Sequence, residues 1–198
     1  MKTLEKYVAF DVEFNTVDEI EHLIQVSAVS FENGQEVAAF DSYVYSDVPV
    51  NSFVVGLTGI TQEKVLTAPK ASEALSKLKS FVSDLPVIVY NAHKSDLPIL
   101  LENGLDLTSL YALDVYETAD SMRDNKLHGI KNFQLKSLAE FFGVAEKNAH
   151  NALADARMTA RIYEAMKDTQ DAEKLLAKQN KKSVTDDTNP FAGLAGLF

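Results

Sequence analysis

Apolar and polar positions divide this chain into short, distinct segments. Lys6 to Phe14 is rich in Val, Phe and Tyr, which suits a β-strand. Leu23 to Phe31 and Val37 to Tyr45 read the same way, joined by Glu32-Asn33-Gly34-Gln35. Asn-Gly between two β-rich runs is a strong hairpin signal. The pattern therefore predicts an antiparallel three-strand meander at the N-terminus. From Ala71 to Val82 the apolar residues recur with helical period. Leu85-Pro86-Val87-Ile88-Val89-Tyr90 is a short continuous apolar run, as in a buried strand. Asp96 to Glu102 predicts a helix stopped by Asn103-Gly104, and Leu110 to Val115 a further strand. Leu135 to Phe142 predicts a helix ended by Gly143. Leu153 to Lys167 is the clearest helix, with Leu153, Ala156, Ala160, Tyr163 and Met166 on one stripe. Strands first, then helices alternating with strands, give an α/β domain with a mixed sheet flanked by helices.

The 198 residues fit one domain, placed at residues 1–170. Residues 171–198 turn polar and read as a tail, its last ~15–20 residues mobile by composition. The tail ends on the apolar stretch Phe191 to Phe198. There is no cysteine, which excludes disulfides and thiolate metal sites. The N-terminus is charged too early for a signal peptide, and no apolar run approaches the ~20 residues of a membrane span. A cytoplasmic location is expected. Net charge is −10, which argues against a protein that simply coats duplex nucleic acid.

Asp11 and Glu13 are two apart on a predicted strand, so both side chains leave one face. Carboxylates among Val8, Phe10, Val12 and Phe14 are out of place without a ligand, because burying charge unpaired is costly. The pattern alone is common, and it recurs in the polar stretch at Asp171-Ala172-Glu173. Asp96 follows Ser95 at a helix start, where either residue serves as a cap, with Pro98 in the first turn. It also follows the end of a central strand, where α/β sheets place their sites. Asp155 suits the positive end of the last helix. His150 lies five residues earlier, ~140° around if both were helical, so it belongs to the approach, with Asn148 or Asn151 as cap.

Together these segments closely resemble the DEDDh 3′–5′ exonucleases, the family of the proofreading epsilon subunit of bacterial DNA polymerase III, RNase T and oligoribonuclease. Val54 to Thr61 resembles the family's His-Gly-Ile-Thr segment, with Thr58 in place of His. Tyr90 to Asp96 resembles its second motif, with Ser95 where Phe is common. Leu135 to Glu140 resembles its Leu-x-x-Leu-Ala helix, and His150 to Asp155 its third motif in the histidine form. The resemblance implies an RNase H-like fold and two divalent ions, Mg²⁺ or Mn²⁺. It implies that Asp11, Glu13 and Asp155 hold one ion that activates water, with His150 as general base. It implies a second ion on Asp11 and Asp96 at the leaving oxygen. A histidine, with an ordinary pKa of ~6.5, suits the base role. Phe14, Asn15 and Thr58 are candidates to seat the terminal nucleotide. The expected substrate is a single-stranded or frayed DNA 3′ end, with RNA as the alternative. A non-enzymatic tether acting through the tail is the alternative of another class. The chain carries no polymerase domain, so proofreading calls for a DNA polymerase partner. Leu194 to Phe198 loosely resembles peptides that dock on sliding clamps.

Overall fold

The computed structural model describes residues 3–124, 127, 129–130, 132–146 and 150–183, with side chains to residue 167. Five strands form one sheet in the order β3-β2-β1-β4-β5. They are β1 (Lys6–Val17), β2 (Ile20–Glu32), β3 (Gln35–Tyr43), β4 (Val87–Val89) and β5 (Tyr111–Asp114). The first three make the expected antiparallel meander, and β4 and β5 run parallel to β1. The β2–β3 turn places Asn33 at φ 51° and Gly34 at φ 78°, the positive pair that a tight hairpin requires.

The helices are α1 (Ser52–Thr58), α2 (Gln62–Leu66), α3 (Ala71–Val82), α4 (Asp96–Glu102), α5 (Val115–Asp120), α6 (Leu135–Phe141) and α7 (Ala152–Ser183). The helix expected over Leu153–Lys167 thus runs on to Ser183, because the polar residues after Asp168 are mostly good helix formers. The boundary expected at residue 170 falls inside α7, and residues 184–198 lie outside the described part.

Alternation along β1 sorts two cores. Val8, Phe10 and Val12 pack with α3 and α4, together with Val26 and Ala28 of β2. Tyr7 and Ala9 pack on the other face, against Ala156, Ala160, Tyr163 and Met166 of α7. Asp11 and Glu13 continue that second row, so they too face α7. The apolar row turns acidic where it reaches the start of that helix. Opposite it on β2, Val29 gives way to Ser27 and Gln25, which pair with Asp11 and Glu13. The register then slips, leaving Ile24 as an extra residue between Gln25 and Leu23. Ile24 is fully buried in a small third core with Val54, Ile60 and Val65 under α1 and α2.

Helix α7 is fixed to the sheet at several points. Leu4 N–H donates to Tyr163 Oη at 2.7 Å, and Tyr7 Oη donates to Glu164 Oε1 at 2.9 Å. Arg157 grips Glu36 of β3 through both Nε and Nη2, a fork-to-carboxylate pairing. Among the described residues, no helix is long and apolar enough to cross a membrane.

Candidate active site

Strands β1 and β4 pair only at Val8–Val87 and Ala9–Ile88, then separate. Beyond that point the N–H of Val12 has lost its ladder partner. The Asp96 carboxylate supplies one, accepting that N–H at 3.2 Å through Oδ1. Its Oδ2 accepts the Ser95 hydroxyl at 2.5 Å. Asp96 is the first residue of α4, and Ser95, the N-cap, makes no side-chain capping bond. The capping role weighed for this pair is therefore absent. Asp96 instead closes the gap where the sheet divides, at the C-terminal end of a parallel strand.

At the start of α7, Asn151 accepts the Ala154 N–H at 3.3 Å and caps the helix. Asn148, the other cap considered, lies outside the described residues. His150 precedes the cap with φ 66°, a left-handed conformation that costs a non-glycine residue ~1–3 kcal/mol. Oxygens of Asp11, Glu13 and Asp155 lie within 4.8 Å of one another. Asp155 Oδ1 is buried with no hydrogen-bond partner. A buried, unpaired oxygen on one of three clustered carboxylates is a misfit in a metal-free protein and a fit to a hard divalent cation. An all-oxygen donor set suits Mg²⁺ or Mn²⁺.

Asp11, Phe14, Asp96, His150 and Asp155 line a cleft of about 930 Å³, and Glu13 adjoins it through Asp11 and Asp155. One expected substrate contact, Asn15, is corrected, and another, Thr58, bonds within the fold. Asn15 is fully buried; its amide donates to Pro49 O at 3.0 Å and accepts from Asn51 N–H at 3.0 Å. It ties the end of β1 to the cap of α1 and leaves no group for a nucleotide. Thr58 Oγ1 donates to Val54 O at 2.9 Å and accepts from Ile60 N–H at 3.1 Å, closing the end of α1.

A sequence profile described as Exonuclease matches residues 8–163. The chain belongs to the exonuclease family. The expected exonuclease family and RNase H-like fold are borne out, and 3′hExo, a DEDDh family member, shares the fold. Among curated relatives, DNA polymerase III PolC-type of Caldanaerobacter subterraneus subsp. tengcongensis is 31% identical over 159 residues, 80% of this chain and 11% of the relative. The chain spans 11–12% of the length of such relatives. Zinc-bound Escherichia coli exonuclease I with single-stranded DNA shares the fold at TM-score 0.71 and 18% identity, over 94% of this chain and 46% of that one. The nuclease domain of 3′hExo, a DEDDh family member bound to rAMP, superposes at TM-score 0.67 and 18% identity, over 83% of this chain and 92% of that one.

Other side chains in this exonuclease escaped the sequence reading. Asp114, buried at the end of β5, accepts the N–H groups of Asn91, Tyr116 and Glu117 on Oδ1 and of Ala92 on Oδ2. It caps α5 and shapes the turn that delivers Asp96. Its oxygens also approach His93 and Glu117, but they are already taken by backbone donors. A lone Asp at a strand end carries no signal of this kind.

All four cleft carboxyls are pushed upward. For Asp11 burial leads, followed by the charges of Asp96, Asp155 and Glu13, and it lies well above the usual range. Burial, then Asp155 and Asp96, raise Glu13 to about 8. Burial takes Asp96 to about 6 against the bonds from Ser95 and Val12. Burial takes Asp155 to about 6 against the pull of His150. The folded protein therefore holds protons that the unfolded chain, with carboxyl pKa values near ~4, releases. Such groups add stability at low pH and lose it as pH rises through their folded values. In EDTA the melting temperature is expected to fall from about pH 4 to about pH 8, and Glu13→Gln to flatten the upper part. A metal-free melting temperature that climbs through that window would contradict this electrostatic picture.

Proposed function

We propose that this chain is a 3′–5′ exonuclease that releases nucleoside 5′-monophosphates from single-stranded or frayed DNA 3′ ends with two divalent ions, Mg²⁺ or Mn²⁺. The observation that carries this reading is the unpartnered Asp155 oxygen beside Asp11 and Glu13, in a cleft that also holds His150. Asp11, Glu13 and Asp155 would hold one ion, and Asp11 with Asp96 the second. Bound there, the ions supply Lewis-acid polarisation of the scissile phosphate and neutralise charge on its oxygens.

The chain's own residues account for the rest. His150, exposed at the cleft, takes the proton of the attacking water. The new P–O bond forms as the bond to the 3′ oxygen breaks, and that oxygen leaves and is protonated from solvent. Asp96, held by Val12 and Ser95, keeps its carboxylate fixed against the reacting phosphate. Phe14, half-buried on the wall, offers a face for the terminal base. The PolC-type relatives support DNA as substrate and a DNA polymerase as working partner. Docking of the tail on a sliding clamp would involve residues outside the described part.

The test uses matched 5′-labelled DNA and RNA strands with Mg²⁺ or Mn²⁺. A ladder shortening from the 3′ end, faster on DNA and stopped by EDTA, is the expected result. Preference for RNA would move the reading to an exoribonuclease. No cleavage of either strand would remove the enzymatic reading and leave the tether.

A further inference from the structure

The cleft is not wholly acidic. Asp11, Asp96 and Asp155 come from β1, α4 and α7, and Lys94, Arg123 and Lys136 line the same cleft. This is a local reversal in a chain with 29 acidic and 19 basic residues.

Each of the three cations is exposed. Lys94 ends the short turn between β4 and α4, and lies two residues from Asp96 without bonding it. Lys136 is in the first turn of α6, where the helix dipole gives a cation no support. Among the described residues neither lysine makes an ion pair. Arg123 follows α5 and is held differently. Its guanidinium lies over the Phe133 ring at 4.0 Å, and Nε donates to Asp120 Oδ1 at 2.9 Å. Phe133 is fixed in turn, because its carbonyl accepts the Tyr90 hydroxyl at 2.6 Å. The fork is thus preorganised, with Nη1 left to donate. Unpaired lysines beside a braced arginine suit a row of phosphates better than a single anion, since each cation stands on a different element.

We propose that Lys94, Arg123 and Lys136 form a track for the backbone phosphates upstream of the scissile bond. The inference rests on the nuclease reading. It makes the substrate a strand of several nucleotides, gripped outside the metal site, and not a dinucleotide. It also explains how a chain of charge −10 retains a polyanion.

The experiment measures kcat and KM on single strands of three and ten nucleotides, across a salt series. The proteins are wild type, the triple variant Lys94→Ala, Arg123→Ala, Lys136→Ala, and a control, Lys77→Ala, which removes a lysine paired with Glu73 on α3. For wild type and control, KM should be about tenfold or more lower on the ten-mer. In the triple variant that advantage should vanish, with KM on the trinucleotide little changed. Each phosphate contact on a single strand contributes ~0.7 to the slope of log affinity on log salt, so the slope should drop by about 2. A triple variant that keeps the length advantage and slope overturns the track. So does one whose KM rises equally on both strands, which would mark a structural role. Failure of the nuclease reading is separate: wild type would release no mononucleotide from either strand, and the track would fall with it.

Discussion

Asp11→Asn is expected to lower kcat by about 10³-fold while making the metal-free protein harder to melt. The two effects have one cause. Asp11 faces Glu13, Asp96 and Asp155, and its carboxyl is driven well above the ordinary range by burial and by those charges. Removing its charge keeps the shape of the side chain and relieves the repulsion. On the proposed reading it would also remove the ligand common to both ions. Loss of several kcal/mol of charge stabilisation, at about 1.4 kcal/mol per tenfold, gives the stated rate effect. The measurements are single-turnover rates with Mn²⁺ and melting curves in EDTA. Undiminished turnover would remove Asp11 from the site. A lower metal-free melting temperature would mean that the carboxylates are not in conflict.

His150→Ala is expected to cost ~10²–10⁴-fold in rate and almost nothing in metal affinity. The imidazole lies on the cleft wall, while the oxygens that approach one another belong to Asp11, Glu13 and Asp155. Single-turnover rates and calorimetric Mn²⁺ titration of both proteins decide the matter. A variant that binds Mn²⁺ as poorly as Asp155→Ala would make His150 a ligand or a prop, and not a base.

The meander was legible because Asn33-Gly34 announces its own turn. The first hairpin turn was not: Asp18 and Glu19 take φ values of 50° and 65° without a glycine or asparagine to signal it. Helices α1, α2 and α5 run seven, five and six residues, too short for a periodic stripe to stand out. The shared face of Asp11 and Glu13 was legible from strand alternation, whereas Asp96, His150 and Asp155 were singled out by the family resemblance. Asn15 was misread because its partners, Pro49 and Asn51, are set by loop geometry that no spacing encodes. Lys94, Arg123 and Lys136 meet across about forty residues of chain, and only the folded cleft relates them.

Two of the three clustered oxygens stand on β1 and the third on α7. The bite of the site is therefore the spacing between a sheet and a helix. Small side chains, Ala9 below and Ala156 and Ala160 above, belong to the core that fills that space. Mg²⁺ takes oxygens at about 2.0–2.1 Å and Ca²⁺ at about 2.3–2.6 Å, a difference well within what one extra methyl in that layer could impose. On the proposed reading, ion choice would be a property of these alanines as much as of the carboxylates.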